Sequence, residues 1–359
     1  VPTVLIDLRM VRGPLHGIAR YALELAHWLP GLEPQWQFQG LVGPQGLPDG
    51  LGHLAPRIPL VATAAAFLGP LEQPLLAATL FNNKPDLFHA TSFSLPALWP
   101  GKLVATLHDA NHLAVPESAS ATRAAYYHWV VRPRANRARA LITVSEFSRR
   151  ELHQHLRLDS SRVEIIPNGV DAMFAPSKSE DQEDFRARRG LPPQYYAVIG
   201  NLKRFKNISL FKPVATRFPF PLALLAGRGA RRALDFTEAS YELAPLPDED
   251  LVRFYGSAQA VLVPSRYEGF GLPALEALAC GVPVLASDAG AHPEILKDAA
   301  LLVSPDDGMA WVKKATELLN QPALKTSLVE KGLARAATFT WERCARMTRD
   351  VYRRVLGLF

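Results

Sequence analysis

A chain of 359 residues with 48% apolar content is too long for one small core and fits two domains of ordinary size. Its apolar residues come in short blocks, none near the ~20-residue run of a membrane-spanning helix. Two cysteines, Cys280 and Cys344, are too few and too scattered for a disulfide framework or a thiolate metal site, so both read as core thiols of a reducing cytosol. The formal charge of +6 favours anionic partners without choosing among nucleic acid, acidic lipid headgroups and a diphosphate substrate.

The opening VPTVLIDLRM lacks a basic region followed by an apolar stretch and a small-residue cleavage site, and reads as a first strand rather than a secretion signal. Further buried strands are predicted around 86–89, 103–107 and 141–144, with helices over 18–29 and 121–139. The alternation pauses near Ile166-Pro167-Asn168-Gly169-Val170-Asp171, and the polar stretch 177–184 offers little to a core. A second series follows, with strands at 196–200, 222–227, 260–264, 283–286 and 301–303, and a last amphipathic helix over 341–356. Such alternation predicts an α/β chain of two Rossmann-like, doubly wound parallel sheets. The expected division is 1–170 and 171–340, with 341–359 crossing back to complete the first domain.

The segment from Pro264 to Gly281 runs from a strand end through a glycine-rich turn into a helix. Pro273 suits a first helical turn. Glycine lets a ligand approach the backbone, and the free amides around Phe270, Gly271 and Leu272 join the helix dipole in an anion site suited to a phosphate or diphosphate. Glu276 falls one turn into that helix, where a carboxylate can accept two ribose hydroxyl hydrogens. Glu268 precedes the turn and is expected to face the other end of the ligand. Taken singly, these residues are as easily turn-formers and solvated acids. Two glutamates with seven residues between them, enclosing Gly-Phe-Gly-Leu-Pro, form a far more specific pattern.

Here the chain resembles the retaining glycosyltransferases of family 4 (GT4). Other stretches match in order: His16-Gly17-Ile18-Ala19-Arg20-Tyr21, His108-Asp109, Val144-Ser145-Glu146-Phe147-Ser148, Ile166 to Asp171, and Phe339-Thr340-Trp341-Glu342 at the start of the cross-over helix. The resemblance implies the GT-B fold, in which two domains face each other across a cleft. It also implies roles: His108 bonds a hydroxyl of the donor sugar, Gly17 lets the first loop approach the diphosphate, Glu268 holds donor hydroxyls and Glu276 the ribose.

Gly200 to Asn207 closes the first strand of the second domain, so its cations are expected at the same site. A glycosyl bond to a diphosphate breaks with negative charge growing on the bridging oxygen, and Lys206 is the ammonium expected to stabilise it. Family members commonly carry an arginine just after the glycine or just before the lysine, where this chain has Asn201 and Phe205. Either Arg204, displaced by one position, or a cation such as Arg228 replaces it at the phosphates, or the catalytic power is reduced; Asn201 stays among the donor-binding residues. Retention is implied by the family alone. A double displacement needs a carboxylate beneath the anomeric carbon, and apart from Glu268 no candidate stands near these motifs, which favours same-face transfer.

Asp248-Glu249-Asp250 imitates a metal-binding Asp-x-Asp, yet its position fits acidic residues in a helix's first turn. His153 and His155 fall on different helix faces and make a poor metal pair. No metal or other cofactor is expected. Arg132, Arg134, Arg137 and Arg139, with Arg123, Arg149 and Arg150 nearby, make the first domain basic. Such residues usually form a solvated face. Peripheral contact with the inner face of a membrane is the functional alternative, helped by exposure of Trp28, Phe67 or Trp99. Nucleic-acid binding would want a module or aromatic platform that is not evident. The resemblance points to a cytoplasmic enzyme moving a hexose from a nucleotide sugar, GDP-mannose first and UDP-sugars next, to a hydroxyl of a glycan or lipid-linked acceptor. The rivals are a non-catalytic nucleotide-sugar scaffold and a nucleotide-sugar epimerase of the same fold.

Overall fold

Short runs of Val, Leu, Ile and Ala between turn residues produce strands buried on both faces, as parallel sheets require. In the computed structural model, which describes residues 1–13, 16–115, 120–236 and 240–358, the first sheet comprises β1 (Thr3–Asp7), β2 (Gln37–Val42), β3 (Leu60–Ala62), β4 (Leu87–Ala90), β5 (Leu103–Thr106), β6 (Ala140–Thr143) and β7 (Val163–Ile165). Its order is β3-β2-β1-β4-β5-β6-β7. The second sheet comprises β8 (Tyr196–Ile199), β9 (Leu222–Leu225), β10 (Ser240–Glu242), β11 (Ala260–Val263), β12 (Val284–Ser287) and β13 (Leu301–Val303), in the order β10-β9-β8-β11-β12-β13. All pairings within both sheets are parallel. The chain divides into two units, Val1–Gly169 with Trp341–Phe359, and Val170–Thr340.

In each sheet the strand order reverses once, at β1/β4 and at β8/β11, and ligands of doubly wound folds bind outside the carboxyl ends of the strands at that point. The register pairs Ala260 with Tyr196 and Leu262 with Val198, so β8 and β11 end level with one another. The loop after β8 carries Lys206 and the loop after β11 carries Glu268.

Four strands are absent from the sequence reading. β2 interleaves Gln37, Gln39 and Gly40 with its apolar residues, while β3, β7 and β10 are three-residue edge strands too short to show a pattern of their own. The expected continuous helix over 121–139 is broken into Ala121–Tyr126, a π-helical turn Tyr127–Val131 and Arg132–Arg137. Pro133 has no amide for the carbonyl of Trp129, and the widened turn ahead of it absorbs the misfit. The polar stretch 177–184 overlaps the helix Ser179–Arg189, which buries only Phe185 and is supported by acidic residues in its first turn and arginines in its last. Lys206 leads into 3-10 turns, Arg204–Lys206 and Ile208–Arg217, rather than an α-helix, with Pro213 inside the second.

The helix Trp341–Leu356 belongs to the first unit, where it packs against the helix Gly17–Leu32. A buried polar chain ties it in: Tyr352 Oη lies 2.5 Å from His89 Nδ1, His89 Nε2 lies 2.8 Å from Thr106 Oγ1, and Tyr21 Oη lies 2.9 Å from the same hydroxyl. Burial, with His108 nearby, pushes the His89 pKa down to about 3, and burial pushes His108 down to about 4. Both lie below the ordinary value of about 6.5, so the unfolded chain binds more protons than the folded one as pH falls below that value. This contribution to stability is complete above about pH 6.5 and is lost on acidification toward about pH 4. The thermal midpoint should therefore drop between about pH 7 and about pH 4.5, and drop less in His108→Gln; equal drops would assign the acid sensitivity to other groups.

Candidate active site

At the end of β8 the chain turns through Gly200, and the Asn201 side chain accepts the Lys203 amide at 3.0 Å, which makes Asn201 a turn residue. Asn207 adopts a left-handed conformation (φ 57°) that asparagine tolerates. Its side-chain amide donates to Pro264 O (3.1 Å) and Pro305 O (2.8 Å), and its oxygen accepts from Arg266 Nε (3.2 Å). The Arg266 amide donates to Phe205 O at 2.7 Å. These bonds lock the loops after β8 and β11 together.

The result is a direct ion pair, Lys206 Nζ to Glu268 Oε1 at 2.6 Å, with both side chains largely buried. Burial pushes the Glu268 carboxyl upward, but the Lys206 charge, then His292 and hydrogen bonds, outweigh it and hold the carboxyl below its usual range. Glu268 is therefore ionised, an acceptor for hydroxyl hydrogens, while the ammonium keeps two further N–H bonds for an anion.

Gly271 caps the helix Leu272–Ala279 with φ 95°, a conformation that side chains resist, and Pro273 lies in the first turn. Phe270 is buried edge-on against Phe339, 5.7 Å between rings. The loop after β12 forms the floor. Ala291 N donates to Glu268 O at 3.0 Å, and a Cβ on Gly290 would lie 2.8 Å from Glu268 N. His292 is fully buried beneath Gly271, with Nδ1 facing Ser287 O (3.2 Å) and Ser287 Oγ (3.1 Å). Because Ser287 Oγ donates to Ser265 O, Nδ1 carries the imidazole proton and Nε2 is a lone pair with no partner among the described residues. Burial lowers the His292 pKa, so the ring is neutral.

Glu276 is buried in the same helix, and its Oε2 accepts from Tyr255 Oη at 3.1 Å. Tyr255 projects from the helix Asp248–Gly256, whose first turn holds Asp248, Glu249 and Asp250; Asp250 pairs with Arg189 and Arg253. Tyr255→Phe should remove one of the bonds that orient Glu276 and, if Glu276 holds the nucleotide, weaken nucleotide-sugar binding two- to tenfold at nearly constant kcat, given about 0.5–1.5 kcal/mol for one hydrogen bond. Unchanged affinity by calorimetry would make Tyr255 a packing residue only.

In the first unit, Gly17 begins the helix Gly17–Leu32, capped by His16, whose Nδ1 accepts from Ala19 N at 3.4 Å. His108 follows β5. Its Nε2–H donates to Thr91 O at 3.0 Å, its ring stands edge-on to Tyr21 at 4.8 Å, and its neutral Nδ1 is left as a hydroxyl acceptor.

Lys206, Glu268, Phe270, Gly271, Leu272 and Glu276 thus gather at one sheet edge of the second unit, with Asn201 in the adjoining turn. Arg204 and Arg228 are exposed on turns. Tyr255, Ser287 and His292 escaped sequence reasoning, and Asn207 was read as part of the lysine segment without its locking role. His153 Nδ1 donates to Leu158 O at 2.9 Å and His155 faces Glu151, both structural contacts. Phe67 and Trp99 are buried and Trp28 is half-buried, which corrects the expectation that they are exposed apolar contacts. Phe67 lies under the guanidinium groups of Arg9 and Arg12, and Trp99 packs edge-on to Phe88.

Residues 15–174 match the family model for Glycosyltransferase Family 4, and residues 180–335 match that for Glycosyl transferases group 1. The O-antigen chain mannosyltransferase B of Escherichia coli is 30% identical, over 96% of this chain and 97% of that protein. The chain belongs to glycosyltransferase family 4. The D-inositol 3-phosphate glycosyltransferase of a Nocardioides species is 30% identical over 60% of this glycosyltransferase, which spans about half (53%) of that relative. Among solved structures, sucrose-phosphate synthase from Thermosynechococcus elongatus superimposes with a TM-score of 0.80 at 21% identity, each chain covered completely. Anabaena HepE in complex with UDP and glucose gives 0.79 at 19% identity, covering 99% of this chain and 100% of that one. These likenesses place the fold as GT-B, and the family makes the protein an enzyme, a hexosyltransferase. No helix among the described residues is long and apolar enough to cross a membrane.

Proposed function

We propose that this glycosyltransferase moves mannose from GDP-mannose to a hydroxyl of a growing polysaccharide or lipid-linked glycan, with retention of configuration and without a metal ion. The observation that carries the chemistry is the buried Lys206–Glu268 pair beside the Gly271 helix start. The full-length similarity to an O-antigen chain mannosyltransferase supports mannose as the sugar. UDP-glucose is the next donor to consider, since HepE is known with UDP and glucose.

In this reading the diphosphate rests on the amides around Phe270, Gly271 and Leu272. As the anomeric C–O bond breaks, its electron pair goes to the bridging oxygen, where the Lys206 ammonium and the helix dipole meet the new charge. A positioned ammonium and helix start supply the charge stabilisation that a divalent ion provides elsewhere. Glu268 and His108 Nδ1 accept sugar hydroxyl hydrogens, Glu276 accepts those of the ribose, Gly17 gives backbone access to the diphosphate, and Arg204 or Arg228 supplies the second phosphate cation. The acceptor oxygen attacks from the face that the phosphate leaves, and its proton passes to the departing phosphate, so atoms and charge balance.

Proton NMR of the first sugar released or transferred from GDP-mannose, recorded before mutarotation, tests the stereochemistry. The α-anomer is expected; the β-anomer would overturn retention.

A further inference from the structure

We propose that the first unit carries a second anion site, at the edge of its sheet opposite to the strand ends that carry His108, built to hold a phosphate-bearing ligand. β5, β6 and β7 are adjacent and parallel, so their amino ends share one sheet edge. Gly101 precedes β5, Arg139 precedes β6, Arg162 precedes β7, and the helix Arg132–Arg137 supplies Arg134 and Arg137 just ahead of β6. These residues and Trp99 line a concavity of ≈ 530 Å³.

The four arginines are of two kinds. Arg134 is buried, with Nε donating to Pro96 O (3.0 Å) and Nη2 to Gly101 O (3.3 Å). Arg162 donates to Asn136 O (2.9 Å) and Ala138 O (3.1 Å). Those two shape the wall by satisfying loop and helix-end carbonyls, which are neutral and cancel no charge. Arg137 and Arg139 line the same space, and none of the four has a carboxylate within ion-pair distance among the described residues; Asp159, farther off, feels the Arg162 charge and offsets part of it. Burial, and then the neighbouring Arg137 charge, lower the Arg134 pKa, the direction expected where like charges crowd together. The C-terminal dipole of the helix Arg132–Arg137 offsets part of that repulsion, but it acts only on groups in its last turn. Arg137 and Arg139 match the multiple oxygens of a phosphate or diphosphate, which their forks can grip bidentately, while the positive charges of Arg134 and Arg162 in the wall add to the attraction. Two sources share this chemistry, a soluble diphosphate and an anionic lipid headgroup. Leu98, 61% exposed on the rim, gives the surface an apolar shoulder.

The test compares the full-length wild type with the Arg137→Ser/Arg139→Ser variant, which spares the wall arginines. A charge-matched control, Arg149→Ser/Arg150→Ser, lies on the helix Glu146–Leu156. Titration with inorganic pyrophosphate in saturating GDP, which occupies the donor site of the proposed function, and cosedimentation with phosphatidylglycerol vesicles, against phosphatidylcholine vesicles, form the two arms. Loss of two charge-assisted contacts should weaken binding by about tenfold or more in the first variant, with little change in the control. A loss confined to pyrophosphate identifies a soluble phosphate ligand, and one confined to anionic vesicles a lipid headgroup; either supports the site. Arg137→Lys/Arg139→Lys keeps charge without the fork and should recover binding partly, which guards against misfolding of the serine variant. If the wild type binds neither probe, or both variants lose binding equally, no such site exists and only net charge is at work.

Discussion

Lys206→Ala is expected to lower kcat by ~10²–10³ while donor affinity changes by less than about tenfold, because a donor aimed at transition-state charge matters most when that charge forms. The Lys206–Glu268 contact makes a second effect inseparable from the first. Removing the ammonium leaves the Glu268 carboxylate largely buried without its partner, and burial then drives its pKa upward. Up to about 3 kcal/mol of stability should be lost, the lower range for breaking a buried pair, since both side chains keep some exposure. Glu268→Gln separates the two effects: it keeps the ammonium and removes the buried charge. It should weaken the hold on sugar hydroxyls with a smaller fall in kcat than Lys206→Ala. Stopped-time assays with circular dichroism on both variants provide the check. Equal activity of Lys206→Ala and wild type would remove Lys206 from the chemistry.

Gly271→Ala is expected to be the most damaging conservative change in the second unit. The position has φ 95°, and forcing a side-chain-bearing residue into a left-handed conformation costs about 1–2 kcal/mol. The added Cβ would also lie 2.9 Å from His292 Cδ2, on a ring that is fully buried and tied to Ser287. Relief requires either the histidine or the helix start to move, and the amides of the Gly-Phe-Gly turn move with it. Donor affinity should fall by about tenfold or more and the melting temperature by about 3–8 °C. His292→Ala in the same chain removes the clash but not the backbone strain. The double variant should therefore be more stable than the sum of the single changes by about 1 kcal/mol or more. Strict additivity would mean that His292 and Gly271 do not press on one another.

The parts of this site readable in the sequence are those close together along the chain. Glu268, Gly271 and Glu276 fall within one strand-turn-helix segment, so their spacing alone placed the two carboxylates on either side of the Gly271 turn. The direct contact of Lys206 with Glu268 was not readable, because it depends on β8 lying beside β11 with level ends. His292 and Tyr255 were missed for the same reason: β12 pairs with β11, and the helix Asp248–Gly256 brings Tyr255 to Glu276. In sequence both look like ordinary core residues. The sheets were legible where strands are apolar runs between turn residues, and illegible at the short edge strands β3, β7 and β10 and at β2, where glutamines interrupt the run. Phe67 and Trp99 misled because an aromatic residue in a loop shows no periodicity, and only the fold reveals the cation and the ring that cover them.

The most direct measurement is equilibrium binding and slow hydrolysis of GDP-mannose, UDP-glucose, UDP-N-acetylglucosamine and dTDP-rhamnose by the purified protein, with a metal chelator present throughout and Glu276→Ala beside the wild type. Selective binding of GDP-mannose, release of free mannose under chelation and weakened binding in Glu276→Ala are expected. Binding of no nucleotide sugar, or hydrolysis only after a divalent ion is restored, would contradict a donor centre built from Lys206 and the Gly271 helix start.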